Sequence, residues 1–308
     1  MKLSGAPLLL ACAAFLASLP VDAASAYDEA MAVYAVDFAG ASYCAGTLGS
    51  GVDKWNCAAC KKHPLVTNTT VIEGHSVTKT LNGFIAYDSD VDTIVLSFAG
   101  TDPLKLRDWI DDLDFFKTNF DLCEKYGSEK CEVHEGFYDT YKVARDQVVE
   151  NVAAYQAAFP TASLIVTGHS LGAILAVIAS LDLIHQHGVK IDHLYTFGQP
   201  RGGDDAFARF VVDTFAGQLE GGEEFRLVHN KDPVPHLPPK DLLGKAFFHH
   251  PAREVFYSEL DSTGSYSLCN DSGEDPACGD QYSVALDLLM HLHYVGFDFI
   301  SNYLACEL

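Results

Sequence analysis

Leu164-Ile165-Val166-Thr167-Gly168-His169-Ser170-Leu171-Gly172-Ala173 decides how this chain is read. Leu164 to Thr167 is short, continuous and apolar, which suits a strand buried on both faces. The residues after Ser170, through about His187, are small or aliphatic and long enough for a helix. Between the two lies Gly-x-Ser-x-Gly. A serine on so sharp a strand-to-helix turn projects its hydroxyl above the sheet edge. The glycines at either side let strand and helix approach without a side-chain clash, and the helix N-terminus favours negative charge beside the serine. The rival reading is a glycine-rich packing turn; a strand before and a helix after favour a nucleophile.

The same alternation extends in both directions. Tyr27 to Phe38 has helical character, and a Gly- and Cys-rich loop runs from there to about Thr70. Gly83–Asp88 and Thr93–Phe98 form two strands around an acidic turn. Phe137–Phe159 has helical spacing and stops before Pro160. Beyond the central motif come a strand at Leu194–Phe197, a helix near Asp204–Phe215 and strands at Phe225–His229 and Glu254–Tyr257. Strands alternating with helices indicate an α/β fold whose mostly parallel sheet has helices on both faces. The acidic stretch Asp261–Asp280 is expected to be a stapled surface loop. No repeat or interdomain linker interrupts the pattern.

A serine hydroxyl needs a histidine base, itself oriented by a buried carboxylate. On a strand-to-helix elbow these partners follow the serine as acid, then histidine. Strand Phe225–His229 runs into Asn230-Lys231-Asp232-Pro233-Val234-Pro235, and Asp232 stands where the acid belongs, in a turn stiffened by proline. Turn capping is its ordinary alternative role. The histidines after Asp232 are His236, His249, His250, His291 and His293. His236 is only four residues on, and His249 and His250 precede a strand. Spacing does not choose between His291 and His293; in an extended segment they share a face.

The ends and the cysteines speak to compartment. Met1-Lys2, the apolar run Leu8–Leu19 and Ala24-Ser25-Ala26 read as a secretory signal peptide over residues 1–26. That leaves one domain over 27–308. The apolar run is shorter than the roughly 20 residues a spanning helix needs, so no transmembrane segment is expected. Cys12 leaves with the signal. The other eight cysteines form an even set, read as disulfides in an exported chain. Cys57/Cys60, Cys123/Cys131 and Cys269/Cys278 are local pairs, which leaves Cys44 with Cys306. A redox or zinc role for Cys57-x-x-Cys60 is disfavoured, because only His63 is close and the flanks look like loop. Asn68-Thr69-Thr70 and Asn270-Asp271-Ser272 are glycosylation acceptors.

The 308 residues include 42 acidic and 20 basic side chains, a net charge of −22. That excludes nucleic acid, which needs a basic face, and disfavours anionic membranes. Neutral, cationic and apolar substrates stay open.

Several segments together resemble the fungal-type class 3 lipase family, which also contains secreted feruloyl esterases. The family pattern V-T-G-H-S-L-G-A stands at Val166–Ala173, N-x-D-P-V-P-x-L-P-P at Asn230–Pro239 and H-L-x-Y-x-G at His291–Gly296. F-x-G-[ST] followed by W-I-x-x-L stands at Phe98–Thr101 and Trp109–Leu113. Val133–Phe137 and Tyr195–Pro200 also fit, so the match runs from about Cys44 onward. The resemblance implies an α/β-hydrolase fold and a triad of Ser170, Asp232 and His291. It implies an oxyanion hole from Thr101 and Leu171, and no metal or other cofactor. His250 matches a family histidine that is not catalytic, and His134 reads as structural. Two departures stand out: Ala99 replaces an arginine often found before Gly100, and Thr101–Trp109 is slightly longer than usual.

In that family the longer stretch is the lid. Here Pro103–Leu113 carries Leu104, Leu106, Trp109, Ile110 and Leu113 among charges, an amphipathic pattern suited to a transient lipid interface. The expectation is a secreted, monomeric serine ester hydrolase acting on acylglycerols. The alternatives are a feruloyl or other soluble-ester esterase, or a non-catalytic lipid- or glycan-binding relative.

Overall fold

The computed structural model describes residues 27–45, 51–127, 129–216, 222–260, 262–282 and 285–306. The expected signal peptide lies outside the described residues. An eight-stranded sheet organises the chain. Its strands, here β1–β8, are Val66–His75, Thr80–Asp88, Thr93–Phe98, Ser163–His169, His193–Phe197, Glu223–His229, Glu254–Tyr257 and Tyr266–Leu268, side by side in chain order. β3 to β7 are parallel; β1, β2 and β8 join antiparallel at the two edges. Together with the helices on both faces, this is the α/β-hydrolase arrangement.

Period-two alternation splits the sheet between two cores. In β3, Ile94, Leu96 and Phe98 face one core, and Val95 faces the other. The first core is closed by helices Leu171–His187, Glu135–Lys142 and Arg145–Ala158. The second is closed by helix Glu29–Ala41 and the C-terminal helix Phe299–Cys306. Helix Leu171–His187 is buried along most of its length, which its small and aliphatic composition permits, and it ends in a left-handed Gly188.

Several boundaries differ from the sequence reading. The stretch Phe137–Phe159 is two helices rather than one, because Ala144 leaves helical geometry at φ −124°. β1 occupies part of the expected loop; its polar residues face solvent at the sheet edge, so it shows little hydrophobic pattern. β8 was hidden because its three exposed residues, Tyr266–Leu268, are too short a run to show alternation.

The structure pairs Cys44 with Cys306, Cys57 with Cys60, Cys123 with Cys131 and Cys269 with Cys278. His63, the one candidate metal partner near Cys57, instead meets Asp37 at 3.2 Å and packs its ring on Phe38. The loop closed by Cys269–Cys278 is tied down by buried ions. Arg201 makes a two-pronged contact with Glu274, and Arg226, itself paired with Glu254, donates to the Gly273 carbonyl at 3.0 Å. Among the described residues no helix is long and apolar enough to cross a membrane.

Candidate active site

The carboxyl ends of β3, β4 and β6 converge on one place. Ser170 follows β4 with φ 59° and ψ −128°, a strained geometry that holds its side chain off the strand line. Its N–H donates to the Phe197 carbonyl at 2.9 Å, which fixes the turn to β5. The flanking glycines are there for close approach. A Cβ on Gly168 would come within 2.2 Å of the Gly172 carbonyl, and one on Gly172 within 2.2 Å of the Phe98 carbonyl.

Asp232 sits three residues beyond β6, fully buried. Its Oδ1 accepts from the Val234 N–H at 2.8 Å. Its Oδ2 accepts from His291 Nδ1 at 2.8 Å and from the Tyr294 hydroxyl at 2.5 Å. Three donors thus converge on one carboxylate. Burial, with Asp232 beside it, pushes the Tyr294 hydroxyl well above the ordinary phenol range, so Tyr294 stays a donor. Because a carboxylate only accepts, the His291 proton is on Nδ1, and Nε2 presents a lone pair when the ring is neutral. His291 Nε2 and Ser170 Oγ are both buried and neither makes a hydrogen bond.

His169 locks the other side of the base. Its Nε2 is 2.7 Å from the His291 carbonyl, and its Nδ1 is 2.6 Å from the Tyr43 hydroxyl. The carbonyl cannot donate, so His169 carries its proton on Nε2 and Tyr43 donates to Nδ1. Burial and the neighbouring His291 hold His169 well below the ordinary histidine range, and it stays neutral. Its ring stacks on Phe299 at 3.8 Å.

The remaining histidines lie elsewhere. His293 is 39% exposed on its side chain, with its Nε2 3.1 Å from an Asp298 carboxylate oxygen. The extended-segment argument fails for it because His291 ends a helical turn, Leu288–His291, and the two rings diverge. His134 is a satisfied structural residue: Nε2 donates to the Asp114 carbonyl and Nδ1 accepts from the Phe137 N–H. His249 contacts the His250 carbonyl through Nδ1, and His250 contacts the Pro235 carbonyl through Nε2. Burial lowers the pKa of His236, which faces Arg201.

Phe98 pairs with Gly168, so the turn after β3 runs beside the elbow. A Cβ on Gly100 would come within 2.9 Å of Ser170 Cβ. Thr101 and Leu171 therefore flank the serine, and both are half-buried. The next segment folds as a short turn, Pro103–Lys105, then helix Leu106–Asp111. Asp102 caps it by accepting from the Leu104 N–H at 2.9 Å. Leu104 is 60% exposed, but Leu106 is 3% exposed and belongs to the second core. Trp109, Ile110 and Leu113 also pack inward. Of the large apolar residues of the expected lid, Leu104, Leu106, Trp109, Ile110 and Leu113, only Leu104 is exposed. A cavity of about 140 Å³ lies alongside, lined by Trp109, Leu113, His134, Phe137 and Leu171.

Sequence reasoning missed Tyr43, His169 and Tyr294 as parts of this network. Tyr294 is inside a quoted motif and could have been suspected. Tyr43 carries no local signal, because it meets His169 across 126 residues.

The chain is similar to known proteins in sequence and in fold. The family described as Lipase (class 3) matches residues 95–242. The Rhizomucor miehei lipase is 31% identical over 259 residues, covering 83% of this chain and 65% of that protein. The chain thus spans just under two thirds of that relative's length. The secreted mono- and diacylglycerol lipase 1 of Fusarium solani is 32% identical over 263 residues, covering 83% of this chain and 72% of that protein. A solved triacylglycerol lipase whose catalytic centre is a serine protease triad superposes with a TM-score of 0.72. It shares 29% identity, over 88% of this chain and 95% of that one.

Proposed function

The chain belongs to the class 3 lipase family, and from that premise we propose that it is a secreted, monomeric serine ester hydrolase acting on acylglycerols. The observation that carries the proposal is the buried His291–Asp232 pair beside a strained, unpartnered Ser170. In the proposed reaction His291 Nε2 takes the Ser170 proton as Oγ attacks the ester carbonyl. Asp232 keeps the Nδ1 tautomer and stabilises the imidazolium. The tetrahedral oxyanion is received by the backbone N–H groups of Thr101 and Leu171, each such donor typically worth about 3–4 kcal/mol. His291 returns the proton to the leaving alcohol, and water then releases the acyl group by the same route. Export is supported by four disulfides and the apolar leader of the sequence.

The acylglycerol assignment is supported by the amphipathic segment 103–113, whose Leu106, Trp109, Ile110 and Leu113 pack inward next to the cavity beside Leu171 while Leu104 stays exposed. The test is initial rates on a soluble short-chain ester and on emulsified triacylglycerol, with Ser170→Ala as control. Activity on emulsions that Ser170→Ala removes is expected. Good cleavage of soluble aromatic esters with none on emulsions would replace the lipase reading by a soluble esterase. No cleavage of either would favour a binding protein.

A further inference from the structure

Between Lys240 and Phe247 the chain leaves the body and returns. The Phe247 N–H donates to the Lys240 carbonyl at 2.7 Å, closing the base. Asp241–Leu242 then pairs antiparallel with Lys245–Ala246, Leu242 opposite Lys245. Leu243 and Gly244 form the two-residue turn with φ 52° and 75°. Two left-handed central residues define a type I′ hairpin turn, in which asparagine followed by glycine is the favoured pair. Leucine gains nothing there. Its Cβ is crowded in left-handed geometry, and Leu243 is 96% exposed, so packing does not compensate. Leu242 is exposed beside it, and a Cβ added at Gly244 would meet nothing within 4 Å. Folding in water therefore does not explain the leucines at this tip.

The foot of the hairpin stands near the candidate active site. Lys117 Nζ donates to the Phe247 carbonyl at 3.2 Å and lies over the rings of Phe247 and Phe248 at 5.0 and 5.6 Å. The Phe248 ring is 5.9 Å from that of His134, which lines the cavity beside Leu171. Phe116, next to Lys117, is also exposed.

We infer that the Leu242–Leu243 hairpin is a fixed anchor that enters an uncharged lipid surface and docks the molecule beside the opening to Ser170. The assignment of acylglycerol as substrate underlies this choice of surface. A convex tip of two leucines fits a fluid apolar phase, which needs no complementary pocket. The surface is uncharged because a net charge of −22 opposes anionic lipid, while Asp241 and Lys245 leave the hairpin neutral. Unlike the segment 103–113, the hairpin needs no opening movement.

The test uses Leu243→Asn, which gives the turn its preferred residue. Binding is read by flotation of the Ser170→Ala protein, with and without Leu243→Asn, on triacylglycerol emulsions coated with phosphatidylcholine. Thermal midpoint and soluble-ester rate are read with Ser170 intact. The expected result is an unchanged or higher midpoint, an unchanged soluble-ester rate, and emulsion binding weakened by about tenfold or more. Leu243→Trp should restore binding. Unchanged binding by Leu243→Asn overturns the anchor, and a protein partner at the tip would give that result. Failure of the substrate reading shows separately: the intact enzyme would bind emulsions through the hairpin yet hydrolyse nothing in them.

Discussion

His169 holds the main chain of His291: its Nε2 donates to the His291 carbonyl at 2.7 Å. The residue before the elbow serine thus positions the proposed base through its backbone, while Asp232 orients the ring. Tyr43 closes the chain of contacts by donating to His169 Nδ1.

Breaking that link should slow chemistry without changing substrate affinity. His169→Phe keeps an aromatic face toward Phe299 but leaves the His291 carbonyl without its donor. Its kcat on a soluble ester should fall on the order of tenfold, with KM nearly unchanged. His169→Gln, whose amide can still donate, should recover part of the loss. A rise in KM with kcat unchanged would reassign His169 to substrate binding.

The proposed triad predicts a sharp contrast between two neighbouring histidines. His291→Ala and Ser170→Ala should each lower kcat by about 10⁴-fold or more. His293→Ala, whose ring is half-exposed and paired with Asp298, should stay within about twofold. Far-ultraviolet circular dichroism checks that each variant is folded; a dead but folded His293→Ala protein would sink the assignment.

Leu104 and Leu106 should part company under substitution to serine. Leu106 is buried in the second core, so Leu106→Ser should destabilise by roughly 2–5 kcal/mol. Leu104→Ser should leave urea unfolding within about 0.5 kcal/mol and act on emulsified substrate alone. Equal urea midpoints for the two variants would contradict the burial of Leu106.

Stability should depend on pH through buried groups of opposite sign. Burial pushes the Glu224 carboxyl up to about 7, against the pull of Arg226 and Arg253. The folded state binds that proton more tightly, so the contribution is full below pH 4.5 and is lost as pH rises toward 7. His169 and His250 are held well below 6.5 by burial. The unfolded chain takes those protons first, so their contribution is present above pH 6.5 and is lost as pH falls. Glu224→Gln should therefore raise stability at pH 8 by up to about 3 kcal/mol and by under about 1 kcal/mol at pH 5. Thermal scans of both proteins at the two pH values check this. A gain of equal size at both would remove Glu224 ionisation as its cause.

Cys44→Ala with Cys306→Ala should lower stability by about 5 kcal/mol at most in the chain-entropy account, the largest effect among the four bridges. The measurement is urea unfolding of the double variant against the matching Cys57/Cys60 double variant. A larger loss from the latter would reverse the ranking.

What the sequence disclosed followed from how local the signal was. β3, β7 and helix Leu171–His187 were read to the residue, because burial on both faces leaves little ambiguity in composition. β1 was missed because this edge strand carries polar residues on its open side, and β8 because three exposed residues are too few to show a period. Asp232 was legible from its position after β6. The choice of His291 over His293 came only through family resemblance, since the helical turn that separates their rings has no pattern in four residues. The inward turn of Leu106 was equally hidden: an amphipathic segment reveals that it has two faces, not which leucine lies on which. The Tyr43–His169–His291 contacts join residues far apart in sequence, and no spacing rule reaches them.

The bridge between Cys44 and Cys306 has a consequence for biosynthesis. The two thiols are separated by 262 residues, so a ribosome delivers the second long after the first has emerged. Through that interval Cys44 sits near the earlier-arriving Cys57 and Cys60 and is open to exchange with them. Helix Glu29–Ala41 faces the same delay, because its Gly40 carbonyl accepts from the Asn302 side chain. A chain interrupted before its final helix would therefore lack both the bridge to Cys44 and the cover that this helix gives the sheet face.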